Sequence, residues 1–184
     1  VNFDLYLNGT SVSSSTSYTT FNVNPCNQTL YIATANNLTS ELAGHIDEFR
    51  VSTVARYTSS FTAPTDPFQN DDDTLLLLHM NGTDATTVFR DDNGTGRTPV
   101  GIRAIGNAQT DTAESAFDTS SLLVDGTSDY LYMPSASWFD PGDQDWTAEC
   151  WFKSTATANG GLISKRNAGG ASNTDFVSYL WGDG

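Results

Sequence analysis

Apolar and polar residues alternate along this chain in short runs, and turn residues separate the runs. Phe3-Asp-Leu-Tyr-Leu7 alternates and then meets Asn8-Gly9. Both residues of an Asn-Gly pair tolerate positive φ, so a hairpin is expected there. Further strands are expected at Phe21–Val23, Leu30–Ile32, His45–Val51, Ser121–Val124, Tyr130–Met133, Trp146–Lys153, Leu162–Lys165 and Phe176–Trp181. Leu75-Leu-Leu-Leu-His-Met80 is a continuous apolar run, as in a strand buried on both faces. No window of helical length carries a 3.6-residue period; Val54–Tyr57 is at most one helical turn. The pattern predicts an all-β protein with many short antiparallel strands, of the sandwich or jelly-roll kind.

Composition narrows the partners. Eight Lys+Arg against 22 Asp+Glu give a formal charge of −14, which argues against nucleic acid and against an anionic membrane surface. No window is apolar for long enough to insert into a bilayer as a helix. Hydrophobic residues at 38% supply a core, and the Ser, Thr, Asn and Gly remainder suits strands and turns. A virion or extracellular location is expected. Two cysteines make no disulfide framework; Cys150 shares the parity of Trp146, Ala148 and Phe152 and reads as a buried inert thiol in preference to a bridge to Cys26.

The stretch 62–73 holds two prolines and four acids and no strand signal. It reads as a linker or an extended crossover between a front piece, 1–61, and a back piece, 74–184. Neither chain end reads as a natural domain boundary, so a segment of a longer protein is expected.

Several segments resemble one family. Gly44-His-Ile-Asp-Glu-Phe-Arg-Val-Ser52, with Ala55–Pro64 after it, resembles the closing strand of concanavalin A-like lectin/glucanase domains of the laminin-G type, above all the versions found in bacteriophage structural proteins. Thr74–Gly82 with Asp91–Gly96 resembles the opening strand and first loop of such a domain; Phe117–Leu131 and Trp146–Phe152 resemble the strands that follow. Asp4–Gly9 resembles its late hairpin. The resemblance implies a jelly-roll sandwich of two antiparallel sheets. The order is inverted, because the closing part precedes the opening part. Two tandem sandwiches account for this: 1–61 would end one and 74–184 would begin the next, with unpaired edges completed by neighbouring copies or adjacent domains. One circularly permuted domain is the rival.

The resemblance to calcium-binding members also makes Asp47, on the strand parity of Phe49 and Val51, a candidate Ca²⁺ ligand. Asp91 and Asp92, in an oxygen-rich loop with Asn93 and Gly94, are the others. A hydrogen bond to backbone or an arginine pair is the competing reading of Asp47. Asp47 and Glu48 are adjacent and so point to opposite faces of a regular strand, which excludes a retaining-glycosidase pair. The only glutamates are Glu41, Glu48, Glu114 and Glu149, and they do not form the Glu-x-Asp-x-x-Glu pattern of glucanases with this fold. His45 and His79 have no Cys or His at ligand spacing. No enzymatic activity is expected. Trp138, Tyr130, Tyr132, Trp151 and Trp181 can offer ring faces to sugars or pack in the sheets. Asn8, Asn27, Asn37, Asn81 and Asn93 head Asn-x-Ser/Thr triplets. The expected function is that of a non-enzymatic structural or adhesive lectin-like module of a virion protein, a tail fibre or capsid decoration, that binds cell-surface carbohydrate. The alternative is a carbohydrate-binding module of a secreted or cell-surface bacterial protein.

Overall fold

A computed structural model describes residues 3–15, 29–35, 40–93, 101–134, 144–155, 160–165 and 176–180. Twelve strands run in chain order: β1 (Phe3–Leu7), β2 (Thr10–Ser15), β3 (Leu30–Ile32), β4 (Ala43–Ser52), β5 (Thr74–Leu78), β6 (Arg103–Ile105), β7 (Gln109–Asp111), β8 (Ser121–Asp125), β9 (Tyr130–Met133), β10 (Thr147–Ser154), β11 (Gly160–Lys165) and β12 (Phe176–Leu180). There is no helix among the described residues. Val54–Tyr57, expected as a possible helical turn, consists of bends. The expected strand Phe21–Val23 and the residue Trp181 lie outside the described residues.

The strands form curled antiparallel sheets in a β-sandwich-like architecture. The first sheet runs β10-β4-β8-β7, with β5 also paired to β4; the second runs β12-β11-β3-β9-β6; β1 and β2 form a separate hairpin. Strand β4 organises the first sheet. One edge takes β10 along its length. The other edge is shared: Ala43–Ile46 pairs with β8, and Phe49–Ser52 pairs with β5.

Alternation decides what is buried. On β3 and β9 every second residue (Leu30, Ile32, Leu131, Met133) is buried, and Tyr31, Tyr130 and Tyr132 between them are half-buried. Those inward residues join Ile46, Phe49 and Val51 of β4, Leu76 and Leu78 of β5, Leu122 and Val124 of β8 and Ile163 of β11 in one hydrophobic cluster. Strand β5 is buried at every position, as its unbroken leucine run predicts. Its far edge is covered as well, because Asp92 N donates to the Leu77 carbonyl.

The tandem reading placed His45–Val51 and Leu75–Met80 in separate sheets. They pair instead, Phe49 opposite Leu78 and Val51 opposite Leu76. In the second sheet β3 lies between β9 and β11 in the same way. Strands of the front and back pieces thus interleave, and 62–73 connects two neighbouring strands. Motif order could not reveal this, because hydrogen-bond partners across a sheet are not encoded in sequence spacing.

Asn8-Gly9 makes the expected tight turn, with φ +50° and +75°. The Gly9 carbonyl accepts from Phe61 N at 2.8 Å, and a Cβ on Gly9 would overlap the Phe61 carbonyl oxygen. The hairpin is therefore tied to the segment after β4.

The in–out assignment of β9 has a direct test. Leu131→Ala should cost about 3 kcal/mol in urea unfolding, the usual range for a leucine cavity. Tyr132→Ala, on the opposite face, should cost clearly less. Equal losses would contradict the assignment.

Candidate functional site

Strand β4 carries most of the buried charge, and a bulge arranges it. Glu48 has φ +49°, and opposite it the register of β10 shifts between Glu149 and Trp151, so Glu48 and Phe49 together face Cys150. The bulge lies where β4 changes partner from β8 to β5. It also inverts strand parity: Ile46 and Phe49 both enter the core, so Asp47, Glu48 and Arg50 all lie off the core side. This corrects two expectations. Asp47 does not share the face of Phe49 and Val51, and Asp47 and Glu48 do not point to opposite faces.

Each of these groups is satisfied. Asp47 Oδ2 accepts from Ala116 N (2.8 Å) and Phe117 N (3.0 Å), and Oδ1 from Glu48 N (2.9 Å). Burial nevertheless pushes the Asp47 carboxyl above its ordinary range, against the pull of those amides. Glu48, fully buried, meets His79 Nδ1 at 2.7 Å and accepts from Phe68 N at 2.7 Å. Arg50 pairs with Glu149 (2.7 Å), donates to the Gln69 carbonyl (3.1 Å) and stacks over Phe68 (4.3 Å). Tyr57 donates to the other Glu149 oxygen (2.8 Å), and burial first, then Glu149, pushes its hydroxyl up to about 12. Arg56 donates to Ser52 Oγ and pairs with Asp71 at 2.7 Å. The segment 62–73 is thus strapped onto the outer side of β4 through Phe68, Gln69 and Asp71.

The acids expected to bind calcium serve different segments: Asp47 holds 116–117, while Asp91 and its neighbour Asp92 lie beside β5. Asp47 is spent on the amides of 116 and 117. Asp91 Oδ1 accepts from Leu77 N and Asn93 N, each at 3.2 Å, and its Oδ2 from Asn93 Nδ2 at 2.8 Å. Asp92 is exposed, and 94–96 lie outside the described residues. Among the described residues no three His, Cys, Asp or Glu side chains converge on one point. Asp47 and Asp91 each already accept amide hydrogen bonds. Of the triplet asparagines, Asn93 is buried and donates to the Leu75 carbonyl; Asn81 donates to Asp118; Asn8 is exposed. Asn27 and Asn37 lie outside the described residues.

A second arrangement lies on the outer face of the second sheet. Tyr31 stands opposite Tyr132 in the β3–β9 register, and its ring meets those of Tyr130 (5.8 Å, 66°) and Tyr132 (5.9 Å, 73°) edge to face. No hydrogen bond to another described residue engages these three hydroxyls. Burial raises the Tyr130 hydroxyl, and Tyr31 and Glu41 beside it act in the same direction. Exposed Arg103, on the edge strand β6, stands opposite Tyr132 in the β6–β9 register. Sequence reasoning picked Tyr130 and Tyr132 but missed Tyr31. Its signal was present: Leu30-Tyr-Ile32 repeats the alternation of Tyr130-Leu-Tyr-Met133. Trp151 faces outward on β10 with its ring edge-on to Phe117 at 5.4 Å. Trp138 and Trp181 lie outside the described residues.

A cleft of about 310 Å³ opens between the β1–β2 hairpin, the segment 55–68 and β10. Cys150 is a free, half-buried thiol on its wall, and burial pushes it up to about 12. Cys26 lies outside the described residues.

No family model, no curated protein and no solved structure matches this chain. The class is therefore set by the fold alone: an all-β protein of curled antiparallel sheets.

The strap gives acid sensitivity. Hydrogen bonding from Arg56 holds Asp71 well below the usual carboxylate range. A folded-state pKa below the unfolded one contributes stability above about pH 4 that is lost as pH falls further. The urea midpoint should drop on acidification through that window. Asp71→Asn should lower the midpoint at neutral pH and flatten its fall. An identical pH profile in the variant would exclude Asp71 as a source.

Proposed function

We propose that this chain is a non-enzymatic, lectin-like module of the concanavalin A-like jelly-roll type that acts by display and adhesion. Its setting in this reading is a virion protein outside the cell, a tail fibre or capsid decoration, and its ligand is carbohydrate on a host surface. The observation that carries the reading is the tyrosine face. Three rings on a sheet give a broad, rigid surface at low entropic cost, and their hydroxyls have no described partner to give up on binding. Glu41 and Arg103 at its margin supply an acceptor and donors for sugar hydroxyls. A charge of −14 favours neutral glycans over sialylated or uronic ones. The engagement of Asp47 and Glu48 with amides and His79 supports a binding role over a hydrolytic one, because neither carboxylate is paired with a second one across an open site.

An array of neutral and acidic oligosaccharides tests this. The protein should retain neutral glycans. Tyr31→Ala and Tyr132→Ala should each weaken retention at least about tenfold, or roughly 1.4 kcal/mol, while Trp151→Ala, on the other sheet, should not. Retention that ignores the tyrosine variants, or new reducing ends released from the sugars, would overturn the reading.

A further inference from the structure

We infer that the cleft beside β10 is a binding site for a small alkylated ammonium ion, held by aromatic rings and by carboxylates on its solvent side. At about 310 Å³ it lies at the lower end of ligand-pocket volumes, about 300–1,000 Å³, so its occupant is a small molecule. Its walls are rich in rings. Tyr6 comes from β1, Tyr57 and Phe61 from the segment after β4, Trp146 from just before β10 and Phe152 from within it. All five are half-buried, so part of each side chain stays accessible. Tyr57 and Phe61 stack at 3.5 Å with 10° between their planes, and Tyr6 stands edge-on to Phe61 at 5.5 Å and to Tyr57 at 6.5 Å. The faces of such rings carry partial negative charge and attract a cation within about 6 Å of the centroid.

The charges of the lining select a cation. Asp4 and Asp145 line the cleft and are exposed, and Glu149 lines it as well, whereas no Lys, Arg or His is among the described residues that do so. With −14 on the chain, an anion would be repelled there. The hydrogen bonds of the wall select the kind of cation. Thr147 Oγ1 donates to the Val54 carbonyl at 2.8 Å and accepts from Arg56 N at 2.9 Å. Tyr57 donates to Glu149, whose other oxygen pairs with Arg50. A sugar or a primary amine needs a directed partner for each hydroxyl or N–H, and these groups are already engaged. An ammonium nitrogen that carries only alkyl groups has no N–H to match. Its charge is spread over methyl and methylene groups that rest on ring faces, and the carboxylates act on it through space. A plain hydrocarbon would suit the apolar walls but would strip water from Asp4 and Asp145 without compensation. The tyrosine face of β3 and β9 contributes no residue to this cleft, so the two sites are independent.

A ligand-observed NMR titration of the full chain tests this with choline and 3,3-dimethylbutan-1-ol, which share a shape and differ in charge. Choline should bind about tenfold tighter or more. Replacing both exposed acids together, Asp4→Asn with Asp145→Asn, should weaken choline about fivefold and leave the alcohol unchanged. Tyr6→Leu keeps apolar bulk and removes the ring; it should weaken choline by a similar factor, and Tyr132→Ala should not. Equal binding of choline and the alcohol would overturn the cation assignment. Choline binding that ignores both the acid pair and Tyr6 would overturn the site. Phosphatidylcholine vesicles present the same ammonium group on a lipid, and protein that sediments with them while free choline does not bind would overturn a small-molecule occupant.

Discussion

The bulge at Asp47–Glu48 is the constraint on which the rest of the first sheet depends. β4 pairs with β10 on one edge but divides its other edge between β8 and β5. At the division Asp47 and Glu48 have no ladder partner on that edge, and the positive φ of Glu48 lets the strand pass it. The same turn of the backbone brings two carboxylates to one side of the sheet. Each then does what the missing ladder would have done. Asp47 caps the amides of Ala116 and Phe117 beside β8, and Glu48 takes the amide of Phe68 and the ring of His79 beside β5.

Burying charge in this way is costly unless every lone pair and donor is matched. Beyond the bulge that condition is met by a connected set: Glu48 with His79, Arg50 with Glu149, and Tyr57 and Arg56 around the same glutamate. The set fixes the course of the 62–73 connection, which has no strand pairing of its own and only Phe68 deeply buried. An acidic, proline-containing stretch that composition marks as a linker is held in place by Arg50 on β4 and by Arg56 just after it. The hairpin is held in turn by that region, through Gly9 and Phe61 and through Tyr6 against Phe61 at 5.5 Å. The β4 charges thus help to position one wall of the cleft beside β10. The tyrosine face belongs to the other sheet and draws on a different feature, plain alternation on β3 and β9.

Much of this was legible in the residues. Period-two alternation marked β1, β3 and β9, the leucine run marked β5, and Asn8-Gly9 marked its turn, because each depends on neighbours in sequence. β2, β6 and β7 were not marked: Thr10–Ser15 is mostly serine, and Arg103–Ile105 and Gln109–Asp111 are three residues each, too short to show a period. Tyr130 and Tyr132 were already among the aromatic candidates, and only the register of β3 against β9 set Tyr31 beside them.

By itself the sequence determined the all-β class, the inward leucines and the absence of a paired-carboxylate motif, since these follow from local pattern and residue inventory. Tertiary structure alone decided which strands pair across 62–73, on which side Asp47 and Glu48 lie, and that Asp47 and Asp91 serve separate loops. The physical reason is that a strand's partner is chosen by backbone groups every residue shares. A single bulge reverses the parity of everything beyond it, and neither the partner nor the bulge has a side-chain signature that spacing can reveal.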